Sequence, residues 1–159
     1  MTSFYLAGPF PRMLAIREVA DGLTRGGHTV TSEWVYGVER ENIPEEIQQD
    51  VKGYLTERLE HDKSFEIFSN IAITDLREVD EADVFVKFHT DDIDYHSGGK
   101  FVEVGYAMAK NKLVIVLGKP ENVFDWHPSV LSLTEDTFLE NIDAVLEEFL
   151  ETGSPVRLR

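Results

Sequence analysis

The sequence predicts an α/β protein of the flavodoxin-like class, with a doubly wound, mostly parallel five-stranded sheet and helices on both faces. Short apolar segments of strand type alternate with amphipathic segments of helical spacing. Within one domain, that alternation produces a parallel sheet covered on both sides. The 159 residues suffice for one sizeable core, and no linker, repeat or low-complexity segment divides them. We therefore predict a single domain over residues 1–159.

In the first third of the chain, each predicted element ends at a turn signal. Residues 3–7 form a short apolar strand, which Gly8-Pro9 ends. A helix is predicted from Arg12 to the pair Gly26-Gly27, a helix C-terminal signal. Residues 28–32 are β-rich and predict the second strand. The helix has apolar residues at helical spacing: Met13, Leu14, Ile16, Val19, Ala20 and Leu23.

The middle of the chain predicts an irregular segment, a long helix and a third strand. Residues 32–44 show no regular period, and Pro44 suits the first turn of a helix. The pattern from there to about Val79 is mostly helical, and residues 83–88 predict the strand. The core candidates of the helix are Ile67, Phe68, Ile71 and Ile73.

The last third predicts a helix, two strands and a closing helix. A polar loop over residues 89–99 precedes the first of these helices, and residues 113–117 form a continuous apolar strand. A loop over residues 121–128 leads to a short strand at 131–133 and to a helix at 135–150. One side of that last helix is apolar: Phe138, Leu139, Ile142, Val145, Leu146 and Phe149.

The glycine-opened helix after residue 97 is the strongest candidate for a functional element. It combines the pair Gly98-Gly99, the carboxylate Glu103, placed in the first helical turn, and Gly105, placed where the helix packs closely. In open α/β sheets the loops at the carboxyl ends of strands hold ligands. A first-turn glutamate is kept ionised by the helix dipole, as a nucleophile requires. The alternative is that Glu103 only favours the helix N-terminus.

Composition excludes several classes of function. The formal net charge is −15, which repels nucleic acid and anionic lipid. No apolar run approaches the ~20 residues of a membrane span, and no signal peptide is evident. The absence of cysteine excludes disulfides and thiolate chemistry and fits a reducing compartment. We expect a cytoplasmic protein that binds a small molecule, without nucleic-acid or membrane partners.

The motifs of several common sites are missing. The turn after the first strand lacks the dinucleotide fingerprint, and neither a phosphate-binding P-loop nor a G-x-S-x-G elbow occurs. A calcium loop starting at Asp92 would need an oxygen ligand where His96 stands and a glycine where Ser97 stands. We therefore expect neither a metal nor a cofactor.

Two carboxylates and a phenol remain as catalytic candidates at the strand ends: Asp75, Glu103 and Tyr5. Such a set can cleave a glycosidic bond, one carboxylate acting as nucleophile and the other as acid on the leaving group. Alternatively, Asp75 is a surface acid and Tyr5 a packing residue. Likewise, Trp34 could stack on a base or belong to the core.

Three motifs, in order and spacing, resemble the nucleoside 2-deoxyribosyltransferase superfamily, which includes 2′-deoxynucleoside 5′-monophosphate N-glycosidases. The similarity runs from Phe4 to about Gly118. The motifs are Phe4-Tyr5-Leu6-Ala7-Gly8-Pro9, then Asp75-Leu76 followed by Asp83, then Gly99-Lys100-Phe101-Val102-Glu103-Val104-Gly105-Tyr106-Ala107.

The resemblance implies roles for the catalytic candidates. Glu103 matches the glutamate that attacks C1′ and carries the sugar as an ester. Asp75 matches the aspartate that assists departure of the base, and Tyr5 matches the tyrosine that hydrogen-bonds the nucleophile. Members of the superfamily assemble as dimers or larger oligomers, so the resemblance implies a homo-oligomer here.

The resemblance also implies how a 5′-phosphate is bound. Transferases acting on free nucleosides have an aspartate at the position of Ser97, whereas the monophosphate hydrolases have a serine. Arg12 matches an arginine of their phosphate-contacting turn, but Pro11 and Met13 depart from that turn. The substrate-binding residues implied are Gly8, Pro9, Phe10, Arg12, Trp34, Ser97, Gly98 and Gly99.

We therefore expect an enzyme that cleaves the N-glycosidic bond of a 2′-deoxynucleoside 5′-monophosphate, or of the deoxynucleoside, and transfers the sugar to water. One alternative is a transferase that moves the sugar to another nucleobase. Another is a ribosyl-transferring enzyme of the same fold, and a third is a non-catalytic nucleotide-binding protein.

Overall fold

A computed structural model describes residues 1–37, 62–90 and 99–153 of the chain. Its sheet has five strands in the order β2-β1-β3-β4-β5, all parallel. The strands are β1 (Ser3–Ala7), β2 (Thr29–Val30), β3 (Val84–Phe88), β4 (Leu113–Leu117) and β5 (Val130–Leu133). This is the flavodoxin-like strand order, so the predicted fold class is confirmed and the sheet is wholly parallel.

Within the described residues, four α-helices cover the sheet, two on each face. They are α1 (Met13–Arg25), α2 (Asp62–Glu81), α3 (Gly99–Ala109) and α4 (Glu135–Thr152). One core cluster joins Phe4 and Leu6 of β1 to α1 and α4. The other joins Tyr5 and Ala7 to α2 and α3. Alternation along β1 therefore turns Tyr5 toward the α2–α3 face.

Strand β2 is shorter than the predicted 28–32 because the chain leaves the edge of β1 after Thr31, whose N–H still donates to the Phe4 carbonyl at 2.8 Å. The side chains of two later residues then form hydrogen bonds with the backbone N–H and carbonyl of Leu6. The Leu6 N–H donates to Ser32 Oγ at 2.9 Å, and Trp34 Nε1–H donates to the Leu6 carbonyl at 2.8 Å. The segment predicted as irregular contains a short 3-10 helix, Glu33–Tyr36.

The other described boundaries agree with the predictions to within a few residues, but three predicted core residues are exposed. The relative exposures of Leu14, Ile73 and Leu139 are 69%, 66% and 41%. The buried face of each of these helices is therefore narrower than the set of apolar residues that the helical spacing assigns to it. Residues 44–61 of the predicted long helix lie outside the described residues, as do the side chains of Ile67 and Phe68.

The strand order places the topological switch point of the sheet between β1 and β3, at their carboxyl ends. The chain runs from β1 outward to β2 and then returns past β1 to β3. Helices on opposite faces consequently leave the sheet on either side of this point, and flavodoxin-like proteins bind ligands there. Strand β1 ends at Ala7, directly before Gly8, and β3 ends at Phe88, directly before His89.

Candidate active site

Tyr5 and Asp75 form the centre of the candidate site. The Tyr5 ring is 1% exposed and stacks on Phe85, its parallel partner in β3, with centroids 5.5 Å apart. Its phenol hydrogen-bonds the carboxyl of Asp75 on α2. The pairing joins the buried face of β1 to the helix that precedes β3.

The environment of Asp75 favours its protonated form. Burial of the half-buried carboxyl raises its pKa from 3.8 to about 6, although the hydrogen bond from Tyr5 acts in the opposite direction. Of its charged neighbours in the sequence, Arg77, Asp80 and Glu81 are exposed, whereas Glu78 is buried. Asp75 thus differs from a surface acid, because it can hold a proton close to neutral pH.

Glu103 is the fifth residue of α3 and lies beyond the first turn, which contains no acid. The predicted first-turn position is therefore wrong, and the helix dipole is not what would keep this carboxylate ionised, because its effect falls off within one turn. The side chain is partly exposed and flanks the buried stripe of Lys100, Val104 and Ala107. Helices α2 and α3 pack against each other, so Asp75 and Glu103 lie on adjacent helices.

Gly105 is exposed, contrary to the expected close packing. A Cβ built on it meets no described atom within 4 Å. Gly8, in contrast, is crowded: its Cβ would lie 2.4 Å from Ile16 Cδ1 and 3.1 Å from Phe88 Cβ. The turn after β1 thus needs a glycine at position 8 because α1 and β3 approach the backbone closely.

Arg12 joins three segments at the carboxyl edge of the sheet. Its guanidinium donates to both carboxylate oxygens of Glu135, at 2.8 and 2.6 Å, and to the carbonyl of His89 at 2.9 Å. Such bidentate pairs are strong and geometrically specific. Phosphate binding by Arg12 stays a prediction, and a phosphate would have to share the guanidinium with Glu135.

Trp34 belongs to the core, which was the alternative to stacking on a base. It is 9% exposed, and its indole N–H is hydrogen-bonded to Leu6. Its ring stacks on Phe10, with centroids 6.3 Å apart, and Phe10 is 42% exposed. The exposed ring of this aromatic pair is therefore Phe10.

Two of the remaining predicted binding residues, Pro9 and Gly99, are among the described residues. Pro9 is buried in the turn after β1, and Gly99 is exposed at the start of α3. Ser97 and Gly98 lie outside the described residues. The roles predicted for Tyr5 toward Glu103, and for Ser97 toward a phosphate, stay predictions.

A buried cluster of charges beside the site was not predicted. Lys87, within the apolar strand β3, and Lys100, in the first turn of α3, contact the carboxylates of Glu121 and Asp125. Strand alternation turns Lys87 to the same face as Tyr5. The available sequence signal was a lysine inside a strand that is otherwise apolar.

Neither a metal-type cluster nor a membrane-spanning helix occurs in the described residues. No group of three or more His, Asp or Glu side chains there is arranged to hold a metal ion. Within the same residues, no helix combines the length and apolar character needed to cross a membrane.

Solved structures of known function share this fold. A 2-deoxyribosyltransferase from Bacillus psychrosaccharolyticus is 24% identical, with a TM-score of 0.60 over 87% of this chain and 90% of the other. The CMP N-glycosidase BcmB of Clostridium botulinum is 18% identical, with a TM-score of 0.51 over 89% and 98%. The chain has the fold of both enzymes. The resemblance that the motifs indicated is confirmed at the level of the fold.

The likeness to known proteins is found in the structure and not among family models or curated sequences. No protein-family model matches the chain, and no curated protein matches it significantly. Both neighbours named above align over most of their own length.

Proposed function

We propose that this protein cleaves the N-glycosidic bond of a 2′-deoxynucleoside 5′-monophosphate or deoxynucleoside. The observation that carries the proposal is Asp75, a half-buried carboxyl hydrogen-bonded to Tyr5 whose pKa of about 6 suits a general acid. Its partner is Glu103 on the adjacent helix. A transferase and an N-glycosidase of the same fold support the reaction class.

The first chemical step forms a glycosyl ester. A carboxylate oxygen of Glu103 attacks C1′ as the C1′–N bond breaks, and the electron pair of that bond passes to the base nitrogen. Protonated Asp75 donates its proton to the departing base, which leaves neutral. This division of labour needs one ionised and one protonated carboxyl, and environments that differ in burial provide it.

The second step releases the sugar. Asp75, now a carboxylate, takes a proton from water, and the hydroxide formed attacks C1′. The ester bond breaks, and Glu103 regains its carboxylate. Two inversions at C1′ give overall retention of configuration. Tyr5 keeps Asp75 oriented through both steps.

Ser97 and the Gly98-Gly99 amides are proposed to bind the 5′-phosphate, with Arg12 supplying positive charge. An aspartate at position 97 would repel the phosphate, and a serine does not. Water is accordingly our proposed acceptor. The likeness to a 2-deoxyribosyltransferase keeps transfer to a second base as the other candidate. The expected cytoplasmic location and the lack of a cofactor stay predictions.

The test incubates the protein with deoxynucleosides and their 5′-monophosphates, with and without an excess of a second free base. Faster base release from a monophosphate, unaffected by the added base, supports hydrolysis. Incorporation of the added base, from the unphosphorylated nucleoside alone, would instead establish the transferase. If tight binding occurs without base release, the protein is a nucleotide-binding protein.

A further inference from the structure

The buried charges beside the site form one connected network. Lys87 Nζ contacts Asp125 Oδ1 and Oδ2 at 2.9 and 2.6 Å and Glu121 Oε2 at 2.9 Å. Lys100 Nζ contacts Glu121 Oε1 and Oε2 at 2.7 and 2.8 Å. Two ammonium groups thus face two carboxylates, so the network is balanced in charge.

The backbone of the loop after β4 completes the network. The N–H groups of Glu121 and Asn122 donate to Asp125 Oδ2 at 2.7 and 3.3 Å. The Thr90 N–H donates to Glu121 Oε1 at 3.1 Å. Asp125 also closes a capping box with Asn122 on the 3-10 helix Val123–Trp126. The loop that carries both carboxylates is therefore fixed by hydrogen bonds at its own backbone.

Lys100 is the residue through which α3 joins this network. Besides Glu121, its ammonium contacts the Thr90 hydroxyl and, at 3.5 Å, the Phe88 carbonyl. Its side chain is 5% exposed, and the ring of Phe101 lies 5.2 Å from Nζ. One lysine thus connects the start of α3 to the carboxyl end of β3 and to the loop after β4.

The short contact between Lys100 and Glu121 favours the ionised form of the Glu121 carboxyl. Burial alone would disfavour ionised Glu121, yet hydrogen bonds from Lys100 and Lys87 lower its pKa to about 2. Burial lowers the pKa of Lys100, and Glu121 opposes that shift. Removing one partner of such a pair leaves a buried charge uncompensated, which is strongly destabilising.

We propose that Lys100 is a positioning residue that holds the first turn of α3, and with it Glu103 one turn later, against the carboxyl ends of β3 and β4. This inference rests on the proposed function for its kinetic consequence. Lys100 and Glu103 are three positions apart, so they are neighbours along one side of α3. A displacement of a reacting group by about 1 Å can lower a rate about 100-fold.

The test compares Lys100→Met with Lys110→Met, a control that removes an exposed lysine directly after the same helix. For Lys100→Met we expect kcat to fall about 100-fold, because the nucleophile Glu103 is displaced from its reacting position. The control should keep the wild-type kcat. An unchanged kcat in Lys100→Met overturns the proposal.

A second variant separates positioning from loss of folding. Lys100→Met combined with Glu121→Gln keeps Lys87 and Asp125 as a balanced pair, so the double variant should fold. It still lacks the connection to α3, and we expect the same loss of kcat.

Amide hydrogen exchange tests the inference independently of activity. We expect faster exchange confined to residues 101–106 in both Lys100 variants and not in Lys110→Met. Unchanged exchange there overturns the positioning role. If wild type releases no base from any substrate, the proposed function fails, and the exchange result still decides the role of Lys100.

Discussion

The phenol of Tyr5 in β1 hydrogen-bonds the carboxyl of Asp75 in α2. The ring of Tyr5 is fixed by its stack on Phe85, so the phenol has a fixed direction. Burial raises the pKa of the Asp75 carboxyl and this hydrogen bond lowers it, and the effect of burial is the larger. The pair therefore sets the protonation state on which the proposed chemistry depends.

The Tyr5–Asp75 pair predicts how activity depends on pH. Because the acid must be protonated, kcat/KM should fall as pH rises above about 6. Tyr5→Phe removes the interaction that lowers the pKa of Asp75, so this limb should move to higher pH. Tyr36→Phe, which changes an exposed tyrosine, serves as the control. A limb that stays in place in Tyr5→Phe would contradict the assignment.

We expect Asp75→Asn to lose activity and to become more stable at alkaline pH. The raised pKa means that the folded protein loses stability as pH rises from about 4 to about 6, because ionised Asp75 is buried. Asparagine avoids that cost and can still accept the hydrogen bond from Tyr5. We expect base release to be lost, and stability at about pH 8 to rise by about 1–2 kcal/mol.

Denaturant unfolding of Asp75→Asn at about pH 4 and about pH 8 measures this effect, which should vanish at the lower pH. Asp21→Asn on α1, an exposed acid, is the control and should change stability equally little at both values. Destabilisation of Asp75→Asn at about pH 8 would show that the carboxylate is not strained by burial.

Glu103→Ala and Glu103→Gln should abolish base release while leaving the fold intact. A partly exposed helix residue contributes little to stability, whereas loss of a covalent nucleophile costs several orders of magnitude in rate. Steady-state assays and circular dichroism measure the two effects, with Glu140→Gln on α4 as control. A variant that keeps a tenth or so of the wild-type rate would rule out Glu103 as nucleophile.

Two glycines predict opposite results for the same substitution. Gly8→Ala places a methyl group against Ile16 and Phe88 and should lower stability by about 1–3 kcal/mol. Gly105→Ala adds a methyl group where no described atom is near and should raise stability by up to about 1 kcal/mol, because alanine favours a helix. Thermal unfolding of both variants checks the pair. Destabilisation by Gly105→Ala would show that another surface covers this side of α3.

We predict a homodimer or larger oligomer from the family resemblance, and light scattering at assay concentration measures it. The aromatic residues Trp34, Tyr36 and Tyr54, in the segment after β2 and the helix predicted to follow it, are candidates for a subunit interface, and the structure weakens that interpretation. Trp34 is covered by its own chain, and the Tyr36 ring, 39% exposed, already faces Arg17 at 5.7 Å. Tyr54 lies outside the described residues. An active monomer would contradict the prediction.

The parallel sheet and the catalytic candidates could be read from the sequence because they depend on local pattern. Apolar strands such as Leu113–Leu117 alternate with amphipathic helices, and that period fixes the layers of the fold. Tyr5, Asp75 and Glu103 were found through motif spacing along the chain. The first-turn position predicted for Glu103 from the pair Gly98-Gly99 is nevertheless wrong, because the start of a helix depends on backbone geometry that residue spacing does not specify.

Contacts between distant segments were decided by the tertiary structure. Nothing near Asp75 in the sequence indicates that Tyr5 bonds to it or that burial raises its pKa. Lys87 and Lys100 likewise have their carboxylate partners in the loop after β4. Sequence determined which side chains the chain carries and the period of its strands and helices. Folding decided which charges share a desolvated space, because desolvation and hydrogen bonding depend on proximity in three dimensions.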